Sequence, residues 1–378
     1  MLVLPILAAL AGAKPVPAQL PVPTLDRLKG HVEVLASPAF AGRRGPDAQK
    51  AGTYVADAFR ELGLEPLFDG SYTQDLPAEE PGQIYGRNVG ARLVGSDPAL
   101  KDEWIIVSAH FDHLGTRDGV IFPGADDNAS GVAMLLEVAR AFAKDAVRPR
   151  RSVMFVGFDL EEAGLIGSRY FVGHPPVPIA RVKLFVTADM IARALGGVCK
   201  AHVFVIGTEH APALRPWIER AAEPLDTLKV GLLGADLLVI DRGDYGPFQR
   251  KQVPFLFFST GENPCYHTPR DVAETLDYPK LESISRMIHG VVREAAMAEA
   301  VPTWVAKPDH PLNEALTVRE VIRTFLDHRK ELKIGPTKAA IMANALKTLD
   351  GVADRGAITP TERANMVRVA QFILFTVL

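Results

Sequence analysis

The chain has 378 residues, 48% of them hydrophobic, which is enough to bury a full core in one large domain with a small appendage. A net charge of −3 and a pI of about 6.4 leave no basic stripe for nucleic acid and no acidic tail that would mark disorder. The only cysteines, Cys199 and Cys265, exclude a disulfide scaffold and a cysteine-built zinc site, although the two could pair in an oxidising compartment.

Residues 2–11 form an apolar run followed by Ala11, Gly12 and Ala13, a pattern that resembles a secretory signal peptide cleaved near Ala13. A basic n-region is missing, and a Pro-rich leader is the alternative reading. The expectation is a leader over 1–20 and a secreted or periplasmic protein. No later apolar run reaches the roughly 20 residues of a membrane span.

Helical spacing follows at 24–35, then a turn-rich loop at 37–46. An amphipathic helix over 48–62 ends at Gly63. Residues 72–76 and 89–93 read as edge strands, and 103–109 as a continuous apolar strand suited to a sheet covered on both faces. A helix is expected over 130–142, strands over 152–158, 182–188 and 202–206, and a helix over 211–222. Another buried strand over 254–259 precedes a helix from 278 to about 298, with Pro279 near its start. This alternation predicts a three-layer α/β/α sandwich with a mixed, largely parallel central sheet over residues 21–300. Composition shifts at 301–311, a linker, and helices over 318–328, 336–349 and 360–378 form a C-terminal extension within 301–378. That extension carries no cluster of titratable residues and reads as a packing or oligomerisation appendage.

The candidate chemistry sits just past the predicted strands. His110 and Asp112 close one strand, and Asp126 and Asp127 lie in the loop GADDNASG before a helix. Glu161 and Glu162 follow VMFVGFDL, Asp189 follows VKLFVTA, and His267 comes after PFLFFSTGENPCY. A lone Glu-Glu is usually a solvated turn, a lone strand-end His structural, and an Asp-Asp before a helix a cap. Delivery of His, Asp, Glu, Asp and His to one edge of one sheet is the specific signal. Two metal ions about 3.5–4 Å apart need a bridging carboxylate and further N and O ligands. Two His and three carboxylates supply these with near charge balance, and one more carboxylate can take a proton. His113, His174, His202, His210, His289, His310 and His328 read as structural.

From about residue 25 to 297 the chain resembles the dizinc metallopeptidases of the bacterial leucyl aminopeptidase and aminopeptidase Y group, relatives of glutamate carboxypeptidase II and the glutaminyl cyclases. The resemblance rests on GRRGPDAQKAGTYVADAFRELGLEP, SAHFDHLG, GADDNASG, FDLEEAGLIGS, ADMI, GDYGPF and YHTPRD. It implies two zinc ions per chain, with His110 and Asp189 on one, Glu162 and His267 on the other, and Asp126 bridging. It implies that Glu161 is the general base, that Asp112 hydrogen-bonds the far nitrogen of His110, and that Tyr266 polarises the scissile carbonyl. A cis peptide is expected at Asp126–Asp127.

Thr187 stands where the family commonly has Asn, and Gly243 and Tyr245 flank Asp244 where Ser and His are common, departures that bear on substrate preference. There is no room between Leu76 and Val89 for an inserted protease-associated domain. The expected activity is an aminopeptidase acting on peptides with a free N-terminus. The alternatives are a single-zinc glutaminyl cyclase and a carboxypeptidase or dipeptidase specificity. A non-enzymatic binding protein would be expected to have lost ligands, and a nucleotide-binding protein would need a Gly-rich phosphate loop that no strand here precedes.

Overall fold

Two helices, α1 (Leu25–Leu35) and α2 (Pro46–Glu61), open the computed structural model, which describes residues 20–238 and 242–377. The leader expected over 1–20 lies outside the described residues except for its last residue. Strands β1 (Glu65–Pro66), β2 (Thr73–Pro77), β3 (Ile84–Leu93) and β4 (Trp104–His110) come next. A small hairpin, β5 (Thr116–Arg117) and β6 (Val120–Ile121), precedes α3 (Gly131–Lys144), β7 (Ser152–Phe158), α4 (Ile166–Gly173) and β8 (Val182–Ala188). Then follow β9 (His202–Ile206), α5 (Arg215–Ala222), β10 (Lys229–Leu233), α6 (Tyr245–Arg250), β11 (Phe255–Ser259) and α7 (Tyr278–Met297). Helices α8 (Leu312–Asp327), α9 (Pro336–Arg355) and α10 (Pro360–Thr376) come last.

The main sheet has the order β1-β3-β7-β4-β8-β11-β9-β10, with β2 also paired to β3. Strands β7, β4, β8 and β11 are mutually parallel, so their carboxyl ends share one edge. Every residue of β4 and β7 is buried, as continuous apolar runs require. Alternate residues feed two cores. Ile105, Val107, Val153 and Phe155 pack with α1, α2, α3 and α7, whereas Ile106, Met154, Val156 and Phe158 pack with α4 and α6. Each fully buried side chain of this size contributes about 1.5–3 kcal/mol.

One expectation for the sheet changes. β3 lies inside the sheet rather than at its edge: its polar, glycine-containing sequence reads as exposed, but β1 and β2 cover its outer side in two pieces. β9 runs antiparallel to β11. The short elements β10, α4 and α6 carry too little periodicity to be expected. Cys199 and Cys265 are both free, and among the described residues no helix is long and apolar enough to cross a membrane.

The last three helices build a third core with Leu195, Phe204 and Leu237 of the preceding chain. Helix α8 starts at Leu312, directly after Pro311, rather than at 318. The extension is also tied down by charge. Arg363 of α10 donates to Glu314 Oε2 at 2.6 Å and to both oxygens of Asp236 at 2.8 Å. Asp236, His310 and Glu314 together could surround a cation, and the Arg363 guanidinium is that cation.

Arg363→Met leaves the Glu314 carboxylate, 2% exposed, without its counter-charge. A loss of about 3 kcal/mol in denaturant-unfolding stability is expected, with most of it recovered in the Arg363→Met/Glu314→Met double variant.

Candidate metal centre

Chain reversals at the carboxyl ends of the parallel strands aim the polar side chains. β4 runs into His110, Asp112 and His113, β7 into Glu161 and Glu162, β8 into Asp189, and β11 into the loop carrying Tyr266 and His267. Leu160, Met190 and His267 adopt left-handed backbone, with φ of 58°, 53° and 53°. Each such non-glycine residue costs about 1–3 kcal/mol, a strain that ligand sites commonly carry.

His110 Nε2 lies 3.3 Å from Asp189 Oδ1 and 3.5 Å from Asp127 Oδ1. His267 Nε2 lies 3.1 Å from both Asp127 Oδ2 and Glu162 Oε2. The two oxygens of Asp127 therefore face two different His–carboxylate pairs. His110 Nε2 and Asp189 Oδ1 are buried without a hydrogen-bond partner. Unpaired buried polar atoms cost about 1–3 kcal/mol each, and a cation among them removes that cost. The donor set could hold a divalent cation on either side of Asp127.

Asp126 does not join this cluster. It is buried, its Oδ1 accepts from the Ala192 N–H at 2.8 Å, and its Oδ2 accepts from Asn263 Nδ2 at 3.2 Å. Consecutive residues of the loop send their side chains in different directions, so the bridging place expected for Asp126 belongs to Asp127. The cis peptide likewise falls at Asp127–Asn128 rather than at Asp126–Asp127. The Asp112 carboxylate stands 3.5 Å from His110 Nδ1 and also accepts the Glu161 and Glu162 backbone N–H groups at 3.0 and 3.2 Å. It thus fixes the turn that presents the glutamate pair.

Burial raises the Glu161 carboxyl well above the usual carboxylate range; His110 opposes this, while Asp244, Asp189 and Asp112 reinforce it. A carboxyl raised in this way is suited to taking up and returning a proton. Burial also lifts Asp244, against the pull of His110, to about 7. For Glu162, desolvation is outweighed by hydrogen bonds from His113 and His267, which hold it low. Tyr266 stacks on His267 with ring centroids 3.8 Å apart, and burial raises its hydroxyl, keeping it a proton donor.

His113, read as structural, sits at the centre. Its Nδ1 is 2.8 Å from Glu162 Oε1 and 3.7 Å from Asp127 Oδ2. Three residues past the strand end, a second His in SAHFDHLG was the available signal. Two further groups lie in stretches that carry the resemblance, GRRGPDAQ and YHTPRD, without a role being read for either. Arg43, fully buried in the early loop, donates to the carbonyls of Phe111, Leu35, Pro123, Gly124 and Asp127. Burial lowers its pKa to about 10 against Asp127, Asp271, Asp112 and Glu162, so it stays charged. Asp271, within YHTPRD, accepts the Asp126 and Asp127 N–H groups, each at 3.0 Å.

Residues 88–292 match the sequence model of Peptidase family M28. The chain is similar to aminopeptidase YwaD of Bacillus subtilis, 27% identical over 212 residues that cover 54% of this chain and 43% of the relative. It is also similar to the glutaminyl-peptide cyclotransferase of Boiga irregularis, 28% identical, covering 56% of this chain and 67% of that protein. The chain spans about half the length of the curated relatives it matches. In fold it is similar to the LapA aminopeptidase of Legionella pneumophila, with a TM-score of 0.60 at 19% identity, covering 73% of each chain.

Arg43→Met leaves five carbonyls without their donor and removes a buried charge. A stability loss of about 3–5 kcal/mol is expected by chemical denaturation. Arg43→Lys, with a charge but no planar fork, should restore only part of it.

Proposed function

The chain belongs to peptidase family M28, and from that premise we propose that it is a zinc-dependent aminopeptidase removing N-terminal residues from peptides. The observation that carries the reading is the Asp127 carboxylate shared between the His110–Asp189 and Glu162–His267 pairs, with Glu161 beside them. His110, Asp189 and Asp127 would hold one zinc ion, and Asp127, Glu162 and His267 the other. Zinc bound there supplies a water acidic enough to deprotonate near neutral pH and a Lewis acid for the scissile carbonyl.

The chain's own residues do the rest. A Glu161 carboxylate oxygen takes the proton of the attacking water and returns it to the leaving amine. Asp112 holds the backbone of Glu161 and Glu162, so both carboxyls keep their aim. The Tyr266 hydroxyl, kept protonated, can donate to the carbonyl oxygen as negative charge develops on it. His113 orients Glu162 through its Nδ1. The similarity to a glutaminyl-peptide cyclotransferase supports a second reading, N-terminal cyclisation, in which water is not a reactant. Export is part of the proposal and rests on the apolar run at 2–11; the N-terminal sequence of the mature protein tests it.

Glu161→Gln should keep its bound zinc and lose about 10²–10⁴ in kcat on aminoacyl anilides. Near wild-type turnover in that variant would sink the role, and cyclisation of an N-terminal glutamine peptide without anilide hydrolysis would select the second reading. Metal analysis of Asp127→Asn should find zinc lost from both sites, whereas Asp126→Asn should retain it.

A further inference from the structure

The metal-centre residues are one wall of a cavity of about 360 Å³. Its polar end is formed by Asp127, Glu161, Glu162, Asp189 and His267. From there it runs over Phe204, Ile206, Leu233 and Phe257 on the sheet. The far side is closed by Val318, Val321 and Ile322 of α8 and by Ala370, Ile373 and Leu374 of α10. These two helices lie beyond residue 292, where the family match ends. Arg242 and Glu262 also line the cavity and are joined to each other by a hydrogen bond, while the wall formed by the sheet and the last helices is mainly apolar.

An apolar cavity of about 150 Å³ already accommodates a benzene ring, and this one is more than twice that size. An open apolar recess continuous with a reacting centre is filled best by an apolar group of the substrate itself, because burying that group is what the recess can reward. We infer that the C-terminal helices α8 and α10 form the inner wall of the side-chain pocket, and that it accepts N-terminal residues with apolar side chains longer than leucine. This rests on the aminopeptidase reading and names its substrate class. The extension is thus part of substrate recognition rather than a mere packing appendage.

The experiment compares kcat/KM of the full-length zinc enzyme on anilides of alanine, norvaline, norleucine and 2-aminooctanoic acid. Values should climb about fourfold per added methylene and be highest for the longest. Ala370→Trp should cut the ratio of 2-aminooctanoyl to alanyl kcat/KM at least tenfold. Ala370→Leu, a milder filling that keeps the fold if tryptophan does not, should move the optimum to a shorter chain. An optimum at norvaline in the wild type, or equal losses on all substrates in both variants, overturns the inference. Calorimetry of n-octylamine against n-propylamine on the metal-free protein separates the two readings. Tighter octylamine binding that Ala370→Leu weakens supports the pocket even if no anilide is hydrolysed, a result that would overturn the aminopeptidase reading alone. Equal binding of the two amines overturns the pocket.

Discussion

The buried guanidinium of Arg43 ties together loops that would otherwise have no reason to meet. All of its hydrogen bonds go to carbonyls, taken from α1, from the end of β4 and from the loop before α3. Turning those carbonyls toward Arg43 leaves the N–H groups of Asp126 and Asp127 facing the other way, where the Asp271 carboxylate accepts them. The loop is thereby clamped between a fixed positive and a fixed negative charge. A buried charge is expensive unless its hydrogen bonds are complete; here Arg43 is satisfied by backbone carbonyls, and Asp271 by two backbone N–H groups and the Arg193 guanidinium. The position of Asp127, on which both halves of the metal centre depend, follows from that clamp.

Charge balance reaches beyond the clamp. Asp127, Glu162, Asp189, Glu161 and Asp112 crowd a small volume, and the buried Arg43 guanidinium is a permanent positive charge that acts on Asp127, Asp112 and Glu162. The imidazoles respond accordingly. Burial alone would lower the His267 pKa, yet Asp127 and Glu162 raise it to about 10. Against its own burial, His110 is likewise raised by Asp189 and Glu161.

Much of this was legible in the sequence because strand ends and polar residues coincide. The strands at 152–158, 182–188 and 202–206 have the bounds that apolar periodicity predicts. His110, Glu161, Glu162, Asp189, Tyr266 and His267 meet at the edge where parallel strands end. Asp126 and Asp127 could not be told apart, since two adjacent aspartates in one irregular loop carry no periodicity that says which way each points. Only the contacts of Ala192 and Asn263 with Asp126 separate them. His113 was passed over for a related reason, because its role depends on Glu162, 49 residues later. Arg43 lies in the GRRGPDAQ stretch that carries the resemblance, but its role gives no signal, since a buried arginine that binds only carbonyls looks in sequence like any loop arginine.

The C-terminal helices show how the edge of a fold can become part of its site. Antiparallel β9 and the strand β10 beside it carry the sheet past β11, and this exposes an apolar face over Phe204, Ile206 and Leu233 that nothing in the strand-helix alternation covers. Helices α8 and α10 cover it, held by their own core and by Arg363 between Asp236 and Glu314. Covering it without filling it requires a rigid attachment, because an apolar space bounded by mobile helices would collapse to bury its walls. The ion pairs at the rim and the packed core behind α8 oppose that collapse. The extension's rigidity and the open volume beside the metal centre are therefore two aspects of one constraint.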